Sequence, residues 1–311
     1  MKGMVFFMFK CGYITVVGKP NAGKSTLVNK LVGFKVAITT PKPQTTRFNI
    51  KGIITNKNSQ MIFIDTPGVH IPKHKMGEYM MKGVEAAISS VDVIIYLVDA
   101  SKPTIDLANE NIMKNIANTK SKVILAINKI DKVEKGKILK IIEVYNKYFK
   151  SVNGNFEEII PISVYKNDGI GLLVELIEKY LPEGEKIYSD DDITDITERE
   201  LVEEIIREKA LNNLDEEIPH GIKVEVQRFK KRKNREKQAV YDIDVDIVCE
   251  RNSHKGIIIG KDGSMLKKIG SLARVDIEEM LDDKVNLKLF VKVREHWQQN
   301  ENYLNNIKNK F

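Results

Sequence analysis

The first 180 residues alternate between two hydrophobic patterns. Short β-branched runs (YITVV at 13–17, QMIFIDT at 60–66, VDVIIYLVDA at 91–100, KVILAINKI at 122–130, EEIIPIS at 157–163) place apolar residues at consecutive positions, as strands buried on both faces do. Between them, residues 72–89, 103–118 and 132–149 repeat apolar positions at helical spacing. KSTLVNKLVG reads as a helix stopped at Gly33, and GIGLLVELIEKYLP closes the series. Strand and helix in alternation predict an α/β fold. Its doubly wound, mostly parallel sheet carries helices on both faces and ligands at the carboxyl ends of its strands.

After residue 180 the pattern changes. Residues 181–197, LPEGEKIYSDDDITDIT, lack periodicity and read as an acidic linker. ERELVEEIIREKALNNL then sets Leu201, Val202, Ile205, Ile206, Ala210, Leu211 and Leu214 along one helical face. IKVEV alternates through Ile222, Val224 and Val226. YDIDVDIV sets Tyr241, Ile243, Val245 and Ile247 against Asp242, Asp244 and Asp246. A short helix, a GKDG loop, a second helix, the strand VNLKLFVKV and a C-terminal helix complete a smaller α+β domain. The expected parts are 1–180, a linker at 181–197, and 198–311.

Composition narrows the class. A chain of 311 residues with 42% hydrophobic and 30% charged residues is globular and long enough for two cores. Cys11 and Cys249 are too few for a disulfide framework, which points to a reducing cytoplasm. MVFFMF is too short for a signal sequence or a span, and Met4 and Met8 are alternative starts. His70 and His74 flank Pro72 in a polar loop rather than at metal-ligand spacing. The net charge of +7 is uneven: +11 over 1–180, −10 over 181–220 and +6 over 221–311. A basic final part suits contact with a polyanion.

The chemistry lies in loops after strands. GKPNAGKST comprises Gly18, Lys19, Pro20, Asn21, Ala22, Gly23, Lys24, Ser25 and Thr26 and fits GxxxxGK[ST]. Glycines there let backbone amides wrap a β-phosphate, Lys24 reaches the β and γ oxygens, and Ser25 ligates Mg²⁺. Asp65, Thr66, Pro67 and Gly68 follow the next such strand; the carboxylate holds Mg²⁺ through water and the Gly68 amide faces a γ-phosphate. Asn128, Lys129, Ile130 and Asp131 form NKID, whose carboxylate accepts from guanine N1–H and the 2-amino group and so selects GTP over ATP. The bland alternative is a strand-end turn capping the next helix. In PISVYKNDG, Ser163 and the Val164 amide are placed to approach the guanine O6.

In this order and spacing the motifs resemble the translation-factor-like branch of small GTPases, and PKPQTTR at 41–47 resembles switch I of Era-type GTPases. That resemblance implies Thr46 as the hydroxyl joining the Mg²⁺ shell with GTP; Thr45 is its rival, and Thr39 and Thr40 remain open. Val69 stands where Ras-type enzymes carry a water-orienting glutamine, so slow hydrolysis is expected. Asn21 has two readings, a ligand of K⁺ against the phosphates or a brace for the loop. With Lys24, Thr46 and Gly68 it completes the expected catalytic set.

The second domain's order of elements is that of a type II KH domain, a module that clamps about four nucleotides through its GxxG loop. Gly260 and Gly263 let the nucleic-acid backbone approach, Lys261 adds charge, and the helix N-terminus at Ser264 offers amides. Ile257, Ile258 and Ile259 are expected as the groove floor, while Asp262 is unfavourable beside phosphates. RFKKRKNREKQ, between the two strands, reads either as a solvated hairpin tip or as a contact for RNA backbone. The segment from Ile193 to Phe229 strengthens the resemblance to Era-type GTPases, which covers nearly the whole chain. It implies a monomeric GTPase of small ribosomal subunit assembly that binds GTP or GDP and the 3′ end of 16S rRNA. It also implies peripheral association with the inner face of the cell membrane, for which the sequence offers no anchor. The competing class is an RNA-binding protein in which GTP is a structural ligand; a membrane-signalling GTPase lacks a lipidation motif.

Overall fold

The strand β1 (Lys10–Val17) organises the first half of the chain in a computed structural model that describes residues 8–42, 45–72, 75–215, 218–234, 236 and 238–297. It pairs in parallel with β3 (Ser59–Asp65) on one side and β4 (Val93–Asp99) on the other. β5 (Lys122–Asn128) and β6 (Glu158–Pro161) extend the parallel sheet, and β2 (Ile50–Thr55) pairs antiparallel with β3, giving the order β2-β3-β1-β4-β5-β6. The consecutive apolar runs are buried on both faces, as expected of strands covered by helices on either side.

The helices of this half are α1 (Lys24–Val32), α2 (Lys75–Ser89), α3 (Leu107–Ala117), α4 (Lys135–Ser151) and α5 (Ile170–Tyr180). α1 ends at Gly33, whose left-handed φ of 74° lets its amide bond back to the Asn29 carbonyl. α3 starts where the Asp106 carboxylate accepts from the Asn109 amide at 3.1 Å. Strand β2 escaped the sequence reading because IKGIIT, broken by Gly52, is the one strand of the sheet running antiparallel.

The chain divides into two compact units. The first takes the described residues up to Ala37 and Thr46–Asp195, and the second Ile38–Thr45 and the described residues from Ile196. The boundary at Asp195 corrects the linker reading of 181–197. Ile53 donates its amide to the Ile193 carbonyl at 2.8 Å, and Gly52 and Thr194 form an antiparallel bridge. Lys51 pairs with Asp195 at 2.9 Å. Gln60, fully buried, holds the preceding turn: its Oε1 accepts from the Ile187 and Tyr188 amides at 2.9 and 3.0 Å, and its Nε2 donates to the Tyr188 carbonyl at 2.8 Å.

In the second unit α6 (Glu198–Asn213) opens on a capping box between Thr197 and Glu200. β7 (Lys223–Lys233) and β8 (Ala239–Cys249) pair antiparallel with a bulge between Val226 and Arg228. α7 (Asn252–Ile259) and α8 (Ser264–Leu281) follow, and β9 (Lys284–Val293) returns parallel to β8. Tyr241, Ile243, Val245 and Ile247 enter a core with Val202, Ile206, Ile269 and Ile277. The three aspartates of β8 sit on the sheet's other face, where Asp246 pairs with Lys292 at 2.6 Å and Asp242 with Arg232 at 2.7 Å. Arg232 and Asn286 beside Asp242 hold its carboxyl down at about 2. The expected C-terminal helix lies outside the described residues.

Replacing Gln60 by Met is expected to orphan the amides of Ile187 and Tyr188, at roughly 1–3 kcal/mol for each group left unsatisfied. Hydrogen exchange at those two amides then accelerates by about tenfold or more while β4 and β5 amides keep their protection; unchanged exchange at 187 and 188 would remove Gln60 from this role.

Candidate nucleotide and nucleic-acid sites

The loops of the first unit gather where β1, β3, β4 and β5 end. Gly18 leaves β1 with a φ of 155°, and a Cβ there would lie 2.3 Å from the Leu97 carbonyl oxygen, so the close approach of loop to β4 admits only glycine. Gly23 is left-handed as well, and its missing Cβ makes room for the Asn128 side chain, whose Nδ2 would stand 2.5 Å away. Asn21 takes a left-handed φ of 62°. Ala22 is buried, and Pro20 packs on Gly68, where an added Cβ would stand 3.0 Å from the Pro20 Cα. Thr26 is exposed on α1.

Three expected metal-binding side chains converge. Ser25 Oγ donates to Asp65 Oδ2 at 2.7 Å, Thr46 Oγ1 donates to the same oxygen at 3.2 Å, and the two hydroxyls lie 3.1 Å apart. Asp65 is fully buried and its Oδ1 has no partner. Burial pushes its carboxyl up to about 6, against hydrogen bonds from Ser25 and Thr46 and the charge of Lys24. Burial likewise pushes Lys24 down to about 8 while Asp65 opposes the shift, and Lys24 Nζ donates to the Lys19 carbonyl at 3.1 Å. A buried carboxylate with a spare oxygen, two hydroxyls and a desolvated ammonium is a donor set suited to a small hard cation and phosphate oxygens.

The four threonines have different partners. Thr40 and Thr45 hydroxyls bond each other at 2.8 Å, and Thr39 donates its amide to Glu208 at 3.2 Å; Thr46 alone of the four meets Ser25 and Asp65. Thr66 donates its hydroxyl to the Val16 carbonyl, a bond inside the sheet rather than toward a ligand. Pro67 is buried. Val69 is buried in the cluster containing Val17, Val84 and Ile94, and its amide donates to the Gly18 carbonyl at 3.1 Å. Its side chain is a packing residue.

NKID does more than end a strand. Asn128 Nδ2 donates to the Ala22 carbonyl at 2.9 Å, and its Oδ1 accepts from the Lys129 and Val164 amides at 2.8 and 3.2 Å. The Val164 amide, expected at a guanine O6, is thus bonded to Asn128. Lys129, left-handed at φ 64°, reaches the Asn21 carbonyl at 2.7 Å and Asp99 at 2.6 Å. Burial would raise the Asp99 carboxyl, but Lys129 and Ser101 outweigh it and hold it below its ordinary value. Asp131 is exposed and accepts from the buried Ser163 hydroxyl; Ile130 is half-buried behind it. Sequence reasoning missed Asp99 and Ser101, although DAS directly after a strand was a usable signal. The side chain of Lys19, one of the expected nucleotide-binding residues, turns to Asp106 and Thr104, at 2.6 Å from each.

In the second unit α7 gives way to the GKDG loop at Gly260, whose φ is 73° and whose Cβ would stand 2.8 Å from Met265 Cβ. Gly263 is left-handed at 76° with open space around the missing Cβ, which leaves the loop's outer surface free for a backbone to approach. Asp262, also left-handed at 51°, has a conformational reason for its identity, since Asp tolerates that region. Lys261, Asp262 and Ser264 are exposed, and no side chain caps α8. The three isoleucines do not share one floor. Ile258 is fully buried in the core, Ile259 packs against that core, and Ile257 is half-exposed. Helical residues one apart point about 100° apart, so consecutive positions cannot line one surface. In the basic hairpin, Lys231 pairs with Asp283 at 2.7 Å and Arg232 with Asp242, while Lys230 and Lys233 are exposed; residues 235 and 237 lie outside the described set.

The model of the family described as 50S ribosome-binding GTPase matches residues 13–129, and that of the KH domain matches residues 217–298. The GTPase Era of Clostridium perfringens (strain 13 / Type A) is 48% identical over 300 residues, 96% of this chain and 98% of its own length. That of Clostridioides difficile (strain 630) is 46% identical over 301 residues, with 96% and 98% covered. Among solved structures, a crystal structure of Era in complex with MgGDPNP and nucleotides 1506–1542 of 16S ribosomal RNA superposes with a TM-score of 0.88 at 39% identity, covering 96% of this chain and 98% of that one. A single-substitution variant of Aquifex aeolicus Era bound to GDP and AlF4⁻ gives the same TM-score at 38% identity and the same coverage.

Proposed function

Because this chain belongs to the Era family of GTPases, we propose that it is a nucleotide-governed switch that binds the 3′ end of 16S rRNA during assembly of the small ribosomal subunit. Hydrolysis of GTP belongs to the first unit and RNA binding to the second. The observation that carries the nucleotide reading is the meeting of Ser25, Thr46 and Asp65 beside Lys24, with a buried Asp65 oxygen left over for a ligand. The RNA reading is supported by the exposed GKDG loop and by the relative crystallised with 16S rRNA. That relative's RNA is from the small subunit, which favours small-subunit assembly over what the broader family description names.

In this reading the amides of 18–23 wrap the β-phosphate, and Lys24 lies between β and γ oxygens. Asp131 recognises the guanine edge, with Ser163 holding its carboxylate. Ser25, Thr46 and Asp65 would hold Mg²⁺, which neutralises charge on the β- and γ-phosphates when bound. Asn21 would help hold K⁺ against the phosphates, a role suggested by its place in the loop and by Val69 being buried and apolar. The γ-phosphate draws Thr46 and Gly68 toward it, ordering the segments around them. The protein acts as a monomer in the cytoplasm. Peripheral contact with the inner face of the cell membrane rests on the family resemblance alone, and no helix among the described residues is long and apolar enough to cross a membrane.

The Asp131→Asn variant is expected to lose GTP affinity by at least about 100-fold and to gain xanthosine triphosphate, because a site built for a donor pair penalises its loss. Unaltered GTP affinity in that variant would sink the guanine assignment. Turnover is expected to be several-fold faster in potassium than in sodium buffer, and equal rates would leave Asn21 a brace for its loop.

Gly263→Asp places a carboxylate where a phosphate must approach. It should abolish binding of a 16S 3′-terminal RNA while leaving GDP affinity within about twofold, since the GKDG loop lies far along the chain from GKPNAGKS and in the other unit. Measured with GDP and with a non-hydrolysable GTP analogue, wild-type RNA affinity should be higher in the GTP form; identical affinities would leave two unconnected binding activities.

A further inference from the structure

Two neighbouring residues of NKID grip two neighbouring carbonyls of the loop after β1. Asn128 Nδ2 donates to the Ala22 carbonyl at 2.9 Å, and Lys129 Nζ donates to the Asn21 carbonyl at 2.7 Å. The first prong is a short amide bonded at both ends. The second is an ammonium on a flexible four-carbon stem, which has to be aimed. Asp99 aims it. This last residue of β4 stands opposite Asn128 at the end of β5 in the sheet register. Its Oδ2 accepts from Lys129 Nζ at 2.6 Å, and its Oδ1 accepts from the Ser101 amide at 2.9 Å and the Ser101 hydroxyl at 2.6 Å.

Stability alone does not ask for this carboxylate. Its side chain is only 14% exposed, and an ion pair so well covered is often no better than apolar residues of similar volume. What the charge adds is direction. Both residues joined by the Lys129–Asn21 bond are left-handed, at φ of 64° and 62°, a conformation that persists only where its surroundings impose it. Asp131 belongs to the short turn Ile130–Lys132 that starts directly after Lys129. The hold on Lys129 therefore bears on how far Asp131 stands from the loop after β1.

We propose that Asp99 is a positioning residue for nucleotide recognition: by keeping Lys129 on the Asn21 carbonyl, it sets the spacing between the phosphate loop and the Asp131 carboxylate. The inference rests on the guanine reading given to Asp131 above. A guanosine phosphate has to satisfy both ends of the site at once, and a displacement of about 1 Å at one end misaligns the other. Asp99 thus acts through Lys129.

The test uses the full chain with Asp99→Asn. In either orientation the new amide group turns a donor toward a donor, Lys129 or the Ser101 amide, so the aim of Lys129 is lost while side-chain volume is kept. Expected are a GDP dissociation constant raised by about tenfold or more, and a raised KM for GTP with kcat within about twofold of wild type, as when ground and transition states lose the same contact. Selectivity moves as well: the preference for GDP over IDP, which lacks the 2-amino group, falls several-fold. Lys129→Met closes a double-mutant cycle, in which Asp99→Asn adds little to a chain already lacking the ammonium. Wild-type GDP affinity and selectivity in Asp99→Asn overturn the inference. So do losses that add in full across the cycle, and equal losses for GDP and IDP, which mark general damage. Should circular dichroism show Asp99→Asn unfolded, Ser101→Ala removes one bond from the same carboxylate. A smaller fall in GDP affinity with a smaller loss of selectivity then supports the inference, and no change overturns it. A wild-type chain that binds ADP as tightly as GDP would instead overturn the guanine reading itself.

Discussion

Three loops of the first unit meet on one side-chain amide. Asn128 gives its Nδ2 to the Ala22 carbonyl and receives the Lys129 and Val164 amides on its Oδ1. A buried amide satisfied on both ends is rigid, because each bond removes a rotamer that another bond would also forbid. The loops after β1, β5 and β6 are therefore set relative to each other. The glycine at 23 serves this arrangement as much as it serves the phosphate, since any side chain there would displace the amide. Preorganisation of this kind is where a scaffold with little covalent chemistry of its own gains rate.

Much of this was legible in the sequence because phosphate and guanine impose residue types at fixed spacing. Gly18 and Gly23 stand on the loop after β1, Lys24 and Ser25 open α1, Asp65 ends β3 and Asp131 follows β5, and the parallel sheet follows from uninterrupted apolar runs. What pattern does not carry is direction. Nothing in TT-PKPQ-TT tells which hydroxyl turns inward; the structure answers through partners at 39, 40 and 45 that occupy the other three. The three isoleucines before GKDG misled for the same reason, since an apolar run states burial but not which member of it is buried. The acidic stretch read as a linker at 181–197 misled differently. Its bonds are made largely by backbone groups to β2 and by the side chain of Gln60, and backbone pairing leaves little trace in composition.

Desolvated charge is used in both units, with opposite strategies. Asp65 and Lys24 are buried and their ionisation is resisted by burial, so the site is poised to be completed by charges it lacks. On α6 Arg207 gives Nε and Nη2 to the Glu204 carboxylate, and the same Nη2 also donates to the backbone at Thr45. One arrangement waits for a ligand, and the other fixes a segment of chain.

The cover over β2 has a consequence for synthesis. Thr194, whose hydroxyl bonds the Lys51 carbonyl, lies 143 residues downstream of it, so at ~5–20 residues per second the ribosome delivers the cover roughly 7–30 s after the strand it protects. Through that interval β2 presents one row of unpaired amides and carbonyls, the feature by which nascent chains on neighbouring ribosomes of a polysome join strand to strand. Gly52 and Lys51 at its centre weaken and charge that edge. The strand left open through that interval thus carries a charge and a glycine that disfavour pairing with a stranger.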